Sequence, residues 1–63
     1  MKVRLRRKEM GYRQGEFAKL IGISGVYLWK IENGKANNIS SKIMKRIAEE
    51  LHSTVGELFF SEE

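Results

Sequence analysis

The sequence contains no cysteine and no proline, and no apolar run in it approaches the length of a membrane span. Without cysteine there is no disulfide framework and no thiolate metal cage, and the absence is typical of a reducing cytoplasm. A membrane span needs about 18 consecutive apolar residues, so we expect no transmembrane segment. A chain of 63 residues allows one small domain. We therefore predict a single soluble, cytoplasmic domain over residues 1–63.

The residues that catalysis and metal binding require are also scarce. His52 is the only histidine, and with no cysteine and no aspartate there is neither a metal site nor a nucleophile dyad. His52 stands at the end of a predicted helix, where it is more simply a cation or a turn residue. Glu49 and Glu50 are adjacent and point to different helix faces, so they are no acid–base pair. We expect no enzyme activity, no cofactor and, because the chain has no room for a sensor domain, no small-molecule effector site.

Positive charge is concentrated in the first three quarters of the chain. Residues 1–46 carry twelve Lys and Arg against three Glu, a net charge of +9, whereas residues 47–63 carry five Glu and no Lys or Arg. This split is typical of a protein that offers a basic surface to a polyanion. One alternative is that helix surfaces simply alternate charge. A membrane surface is disfavoured as partner, because no segment combines a basic face with a broad apolar face.

Apolar residues recur at steps of three and four, which predicts an all-α fold. The expected helices cover residues 2–10, 14–21, 25–32, 41–51 and 55–60. Glycine or Asn-Gly ends the first three helices, a serine caps the third and the fourth, and a Thr-x-x-Glu capping box opens the fifth. These boundary signals are Gly11, Gly22, Asn33-Gly34, Ser24, Ser40 and Thr54 with Glu57. The expected inward residues are Val3, Arg7, Met10, Phe17, Ala18, Ile21, Tyr27, Leu28, Ile31, Ile43, Met44, Ile47, Ala48, Leu51, Val55, Leu58 and Phe59.

The second and third helices have the spacing of two crossing helices joined by a sharp turn. Counting from Gln14, the fifth residue is the small Ala18, which lets the two helices approach closely. The ninth is Gly22, which supplies the positive φ of the turn. Leu28 and Ile31, the fifteenth and eighteenth, anchor the third helix so that its opposite face projects outward.

These positions resemble the phage-repressor or Cro-type helix-turn-helix regulators, also called the xenobiotic-response-element type. The resemblance covers residues 3–60 and is carried by residues 11–24, Tyr27-Leu28, residues 31–35, Ile47-Ala48-x-x-Leu51 and Glu57-Leu58-Phe59. It implies a compact five-helix, lambda-repressor-like domain that places its third helix in the major groove of double-stranded DNA. We expect a sequence-specific transcriptional regulator of the phage or mobile-element repressor type. It would bind a pseudo-palindromic operator as a homodimer, in the nucleoid of a prokaryote or its phage.

The resemblance also implies roles for individual residues. Gln14 matches a glutamine that binds a backbone phosphate and braces the third helix, the alternative being a solvated surface residue. Arg7 and Glu32 match a partly buried ion pair between the first and third helices, the alternative being two separate surface charges. The loop after the third helix either meets the opposite phosphate backbone or is plain loop; its residues in question are Asn33, Lys35, Asn37 and Asn38.

Several residues depart from the family's pattern. Arg13 stands where an N-cap acceptor is usual, and a cation there opposes the helix dipole by about 0.3–1 kcal/mol unless a phosphate lies nearby. The base-facing positions are Gly25, Val26, Trp29 and Lys30, of which only Lys30 is ionised. Val26 can touch a thymine methyl but cannot distinguish donors from acceptors. Specificity is therefore expected to depend on apolar contact and DNA shape.

Two aromatic positions leave alternatives open. Trp29 packs on a thymine methyl and sugar, anchors a protein partner, or folds back on Val26. Phe59 and Phe60 cannot both face inward on one short helix, which makes them candidates for a dimer seam with Phe60 outward. The competing function is a protein-interaction module, antitoxin-like or antirepressor-like, with weak or no base readout.

Overall fold

A computed structural model of the protein describes residues 2–60. These residues form α1 (Val3–Glu9), α2 (Gln14–Ile21), α3 (Gly25–Glu32), α4 (Ser41–Glu50) and a final π turn (Gly56–Phe60). No strand occurs in this range, so the predicted all-α, five-helix fold is confirmed. Each predicted helix is present to within one residue at either end. Residues 1 and 61–63 of the predicted domain, with two glutamates of its acidic end, lie outside the described residues.

The core contains most of the apolar residues that periodicity places inward, whereas six predicted inward are only partly buried: Met10, Tyr27, Ile43, Met44, Val55 and Phe59. Arg7 is buried with them, and so is the side chain of Glu32. Ala18 is 2% exposed, as expected of a small residue where α2 and α3 approach each other. Tyr12 packs on Phe17 with ring centroids 5.2 Å apart. The buried apolar residues are Val3, Phe17, Ala18, Ile21, Leu28, Ile31, Ile47, Ala48, Leu51 and Leu58.

Helices α1 to α4 all end in the same left-handed turn. At the end of α2, Gly22 has φ +88°, and the N–H groups of Gly22 and Ile23 donate to the carbonyls of Lys19 and Ala18. This is the Schellman pattern, which satisfies carbonyls that a helix end leaves without partners. The same pair of bonds closes the other three helices, with Gly11, Gly34 and His52 in the left-handed position. His52 is thus a turn residue, at φ +53°.

The last helical segment differs from the prediction in its winding. It is a single wide π turn instead of an α-helix over residues 55–60. The Thr54 hydroxyl accepts from the Glu57 N–H at 3.1 Å, as the capping box predicts. Leu58 is buried, and its carbonyl accepts from the N–H of Lys2 at 3.0 Å. The segment is thus held by two hydrogen bonds, one local and one to the backbone of Lys2.

Side-chain and backbone bonds tie α1 to the C-terminal half of the fold. The Arg6 guanidinium donates through Nε to the Leu51 carbonyl at 2.9 Å and so caps the end of α4. With the Lys2–Leu58 bond, this contact holds α1 along the end of α4 and the π turn. The next side chain, Arg7, then points into the molecule and is 5% exposed. No helix among the described residues is long and apolar enough to cross a membrane.

Replacing His52 by glycine is expected to stabilise the fold. A left-handed residue with a Cβ costs about 1–2 kcal/mol, and the greater freedom of glycine in the unfolded chain removes about half of the gain. His52→Gly should therefore raise the free energy of unfolding by about 0.5–1 kcal/mol in urea denaturation. His52→Ala is the control, because it removes the imidazole but keeps the Cβ. Equal stabilities for the two variants would contradict the prediction.

Candidate nucleic-acid interface

Helix α3 presents one face to solvent because its other face is firmly anchored. Leu28 and Ile31 are fully buried, and the Ser24 hydroxyl caps the helix by accepting from the Tyr27 N–H at 3.0 Å. The outward positions are those that the sequence analysis assigns to the bases. All are exposed: Gly25, Val26, Trp29 and Lys30.

Trp29 lies on the flank of this face. A step of three residues turns about 60° short of a full circle around an α-helix, so Trp29 lies midway between outward Val26 and inward Glu32. Its indole lines a groove between α3, α1 and the start of α2, here called the Trp29 groove. Val26 and Lys30 do not line it. The lining residues are Arg4, Arg7, Lys8, Arg13, Gln14, Trp29, Glu32 and Asn33.

The floor of the groove is a buried ion pair. Arg7 donates through Nε and Nη2 to the two carboxylate oxygens of Glu32, at 2.6 and 3.2 Å. Arg7 also donates through Nη1 to the Tyr12 carbonyl at 2.7 Å. Gln14 donates through Nε2 to Glu32 Oε1 at 3.0 Å. The Arg7 and Glu32 side chains are only 6% and 0% exposed. Three segments of the chain therefore meet at this pair.

The residues predicted to bind phosphate fall into two groups. Arg13, Gln14 and Asn33 lie together in the Trp29 groove. The others, Lys35, Asn37 and Asn38, are exposed in the loop between α3 and α4 and do not line the groove.

Two residues of the first group already serve the fold. Gln14 uses one amide N–H on Glu32, which braces the end of α3 and leaves a second N–H for another acceptor. Asn33 donates through Nδ2 to the Trp29 carbonyl at 2.8 Å, which adds a second bond to an oxygen that already accepts from the Asn33 backbone N–H at 3.0 Å.

Arg13 occupies the N-cap of α2 without capping it. Its guanidinium has no acceptor atom, and no side-chain cap bond is made. Instead the Glu16 carboxylate accepts from the Arg13 backbone N–H at 3.0 Å, which is one half of a capping box. A carboxylate in the first turn offsets the unfavourable cation, so the predicted penalty at Arg13 is reduced.

Two groove residues were not anticipated from the sequence. Arg4 and Lys8 are exposed and lie one turn apart on α1, on either side of Arg7. The spacing of four residues was readable, but their position beside α3 follows only from the Arg7–Glu32 contact. No ion pair within residues 2–60 engages Arg4, Lys8 or Arg13. The rim of the groove therefore carries three unpaired cations and suits an anion.

Comparisons with a family model and with known proteins both give matches. The chain matches the helix-turn-helix family model over residues 3–58. It is 38% identical over 60 residues to the HTH-type transcriptional regulator SlrR of Bacillus subtilis (strain 168), an alignment that covers 95% of this chain. The chain spans only 40% of the length of that relative. No solved structure matches the chain at a significant score.

The buried pair is expected to be strongly coupled. Removing one partner leaves a buried charge without its counter-charge, which costs about 3–5 kcal/mol. In urea denaturation, Arg7→Met and Glu32→Gln should each lose stability on this scale, and the double variant should lose clearly less than the sum. Arg7→Lys should fall between wild type and Arg7→Met, because it keeps the charge but loses the two-pronged contact. Additive losses in the double-mutant cycle would show that the pair is not coupled.

Proposed function

The chain belongs to the helix-turn-helix family of DNA-binding regulators, and we propose that it controls transcription by binding duplex DNA through α3 and the Trp29 groove. The observation that carries the proposal is the outward face of α3 beside a groove rimmed by three unpaired cations. A surface of this kind suits a helix entering the major groove while its surroundings neutralise phosphates.

Phosphate contacts are proposed on both sides of α3. At the start of α2, the free N–H groups of the first turn, the Arg13 guanidinium and the second amide N–H of Gln14 suit one backbone phosphate. The exposed loop after α3 supplies Lys35, Asn37 and Asn38 for the opposite strand. Such contacts fix the position of the protein on DNA but carry little sequence information.

Base reading is proposed for Val26, in the first turn of α3, and for Lys30, in its last turn. Lys30 can donate to guanine O6 or N7, and Val26, 68% exposed, can contact a thymine methyl. Gly25 is exposed and has no side chain, so it offers no polar group to a base. With few polar readers, discrimination depends partly on the shape of the duplex.

We propose that the domain binds a pseudo-palindromic operator as a homodimer, because one copy is too small to reach two half-sites. The Cα trace measures 26 × 25 × 19 Å, which is shorter than the roughly 34 Å between successive major-groove faces on one side of DNA. A second half-site therefore requires a second copy. Phe60 is 67% exposed whereas Phe59 packs against the core, so we place Phe60 at the dimer seam. A dimer bound over a promoter acts as a repressor by occupying it.

Arg13→Ser is the sharpest test, because its effects on folding and on binding are expected to have opposite signs. Serine supplies the missing N-cap acceptor, which should raise the free energy of unfolding by about 0.5–2 kcal/mol. The lost phosphate contact should weaken binding to all duplexes about equally and lower the salt dependence by about one unit of log–log slope.

The readouts are urea denaturation and fluorescence anisotropy with a labelled duplex at several salt concentrations. Lys45→Ala, which removes one exposed positive charge from α4, is the control for net charge and should weaken binding less. If Arg13→Ser preferred a different base from wild type, the phosphate-binding role assigned to Arg13 would be wrong. A wild type with neither salt dependence nor sequence preference would favour a protein-interaction module instead.

Phe60→Ser is expected to weaken self-association. Burying an exposed aromatic ring between two copies stabilises a dimer, and serine removes most of that apolar area. Sedimentation velocity of the protein alone and with its selected operator should show fewer dimers for the variant. Leu5→Ser is the matched control, because Leu5 is exposed to a similar degree, at 61%. A wild type that is monomeric both free and on DNA would overturn the dimer proposal.

A further inference from the structure

We infer that Trp29 contacts the sugar-phosphate backbone of one DNA strand instead of a base edge, with the cations of the Trp29 groove on the adjacent phosphates. The inference rests on the proposed function and deepens it. It divides the outward face of α3 into a base-reading part, Val26 and Lys30, and a backbone-binding part, Trp29.

The first support is the set of residues that line the groove together with Trp29. Its indole shares a groove with cations and amides, while the neighbouring positions Val26 and Lys30 lie outside that groove. The Asn33 amide holds the Trp29 backbone carbonyl at 2.8 Å, which fixes the end of α3 where the indole emerges. The indole is 45% exposed and is therefore supported on one side and open on the other.

The second support is the balance of charge. Arg7 and Glu32 neutralise each other at the floor of the groove, because they form a two-pronged pair. Arg4, Lys8 and Arg13 remain on the rim without ion pairs among the described residues. The groove thus presents a net positive rim around one apolar ring whose N–H group is a donor.

The combination selects the ligand. A thymine methyl would use the ring but leave the three cations without partners. A free inorganic anion would use the cations but leave the apolar ring facing water. A deoxyribose between two phosphates uses both, because the sugar offers an apolar surface and the phosphates accept from the cations and from the indole N–H. This contact adds affinity for every duplex and no preference among bases.

The sole tryptophan of the chain makes this contact directly observable. Intrinsic fluorescence of the full chain should change on titration with its selected duplex and with a scrambled duplex alike. Trp29→Ala should weaken both complexes by about tenfold and leave their ratio unchanged. The affinity of Trp29→Phe, which keeps an aromatic ring without the N–H, should lie between those of wild type and Trp29→Ala. Val26→Ala is the matched control, because it should alter the ratio while the Trp29 signal persists.

Modified duplexes locate the contact. Single phosphates of the duplex are replaced in turn by uncharged methylphosphonates. At one position the wild-type protein should lose affinity and its fluorescence change. Trp29→Ala should bind that modified duplex as well as it binds the unmodified one. Uracil in place of thymine should leave the effect of Trp29→Ala unchanged.

Four results would overturn the inference. A fluorescence signal that is constant through duplex binding would reject it and leave the proposed function intact. A Trp29→Ala effect that requires thymine methyls would make Trp29 a base reader. An equal response to inorganic phosphate alone would indicate a free-anion site. Failure of wild type to bind any duplex would reject both the inference and the proposed function.

Discussion

Burying Arg7 against Glu32 removes two charges from water, a cost of several kcal/mol per ion that only excellent geometry offsets. The protein meets this condition by giving the pair further hydrogen-bond partners: the Tyr12 carbonyl accepts from Arg7, and the Gln14 amide donates to Glu32. The four bonds involve α1, the α1–α2 turn, the first residue of α2 and the last residue of α3. Three segments are therefore held at one point, and the orientation of α3 relative to the Trp29 groove depends on it.

The pair also sets the electrostatics of the surface above it. Glu32 is the one acidic residue of the Trp29 groove, and Arg7 cancels its charge at the floor. The exposed cations above are then left with their full attraction for a polyanion, which screening by salt reduces in solution. The Arg7–Glu32 contact therefore has two effects. It gives each buried charge its counter-charge, and it leaves the basic rim without an opposing negative charge.

Much of the fold could be predicted from sequence because its determinants are local. The left-handed Gly22, the small Ala18 and the buried Leu28 each have a requirement that spacing alone reveals. What escaped prediction depends on contacts between distant segments: the position of Arg4 and Lys8 beside α3, and with it the groove that they share with Trp29. Glu16 is an exception, since its offset of three residues from Arg13 was readable as half of a capping box.

The way α1 is attached has a consequence for the order of folding. Helices α2 and α3 are neighbours in sequence, so their contact closes a short loop early and at little entropic cost. The contacts of α1 close much longer loops, since its bonds to Glu32 and Leu51 span 25 and 45 residues. By this loop-closure argument we expect the helix-turn-helix to form first and α1 to dock onto it later. A local opening that releases α1 would carry away Arg4 and Lys8 and leave Val26 and Lys30 in place, which would separate the proposed phosphate contacts from the proposed base contacts.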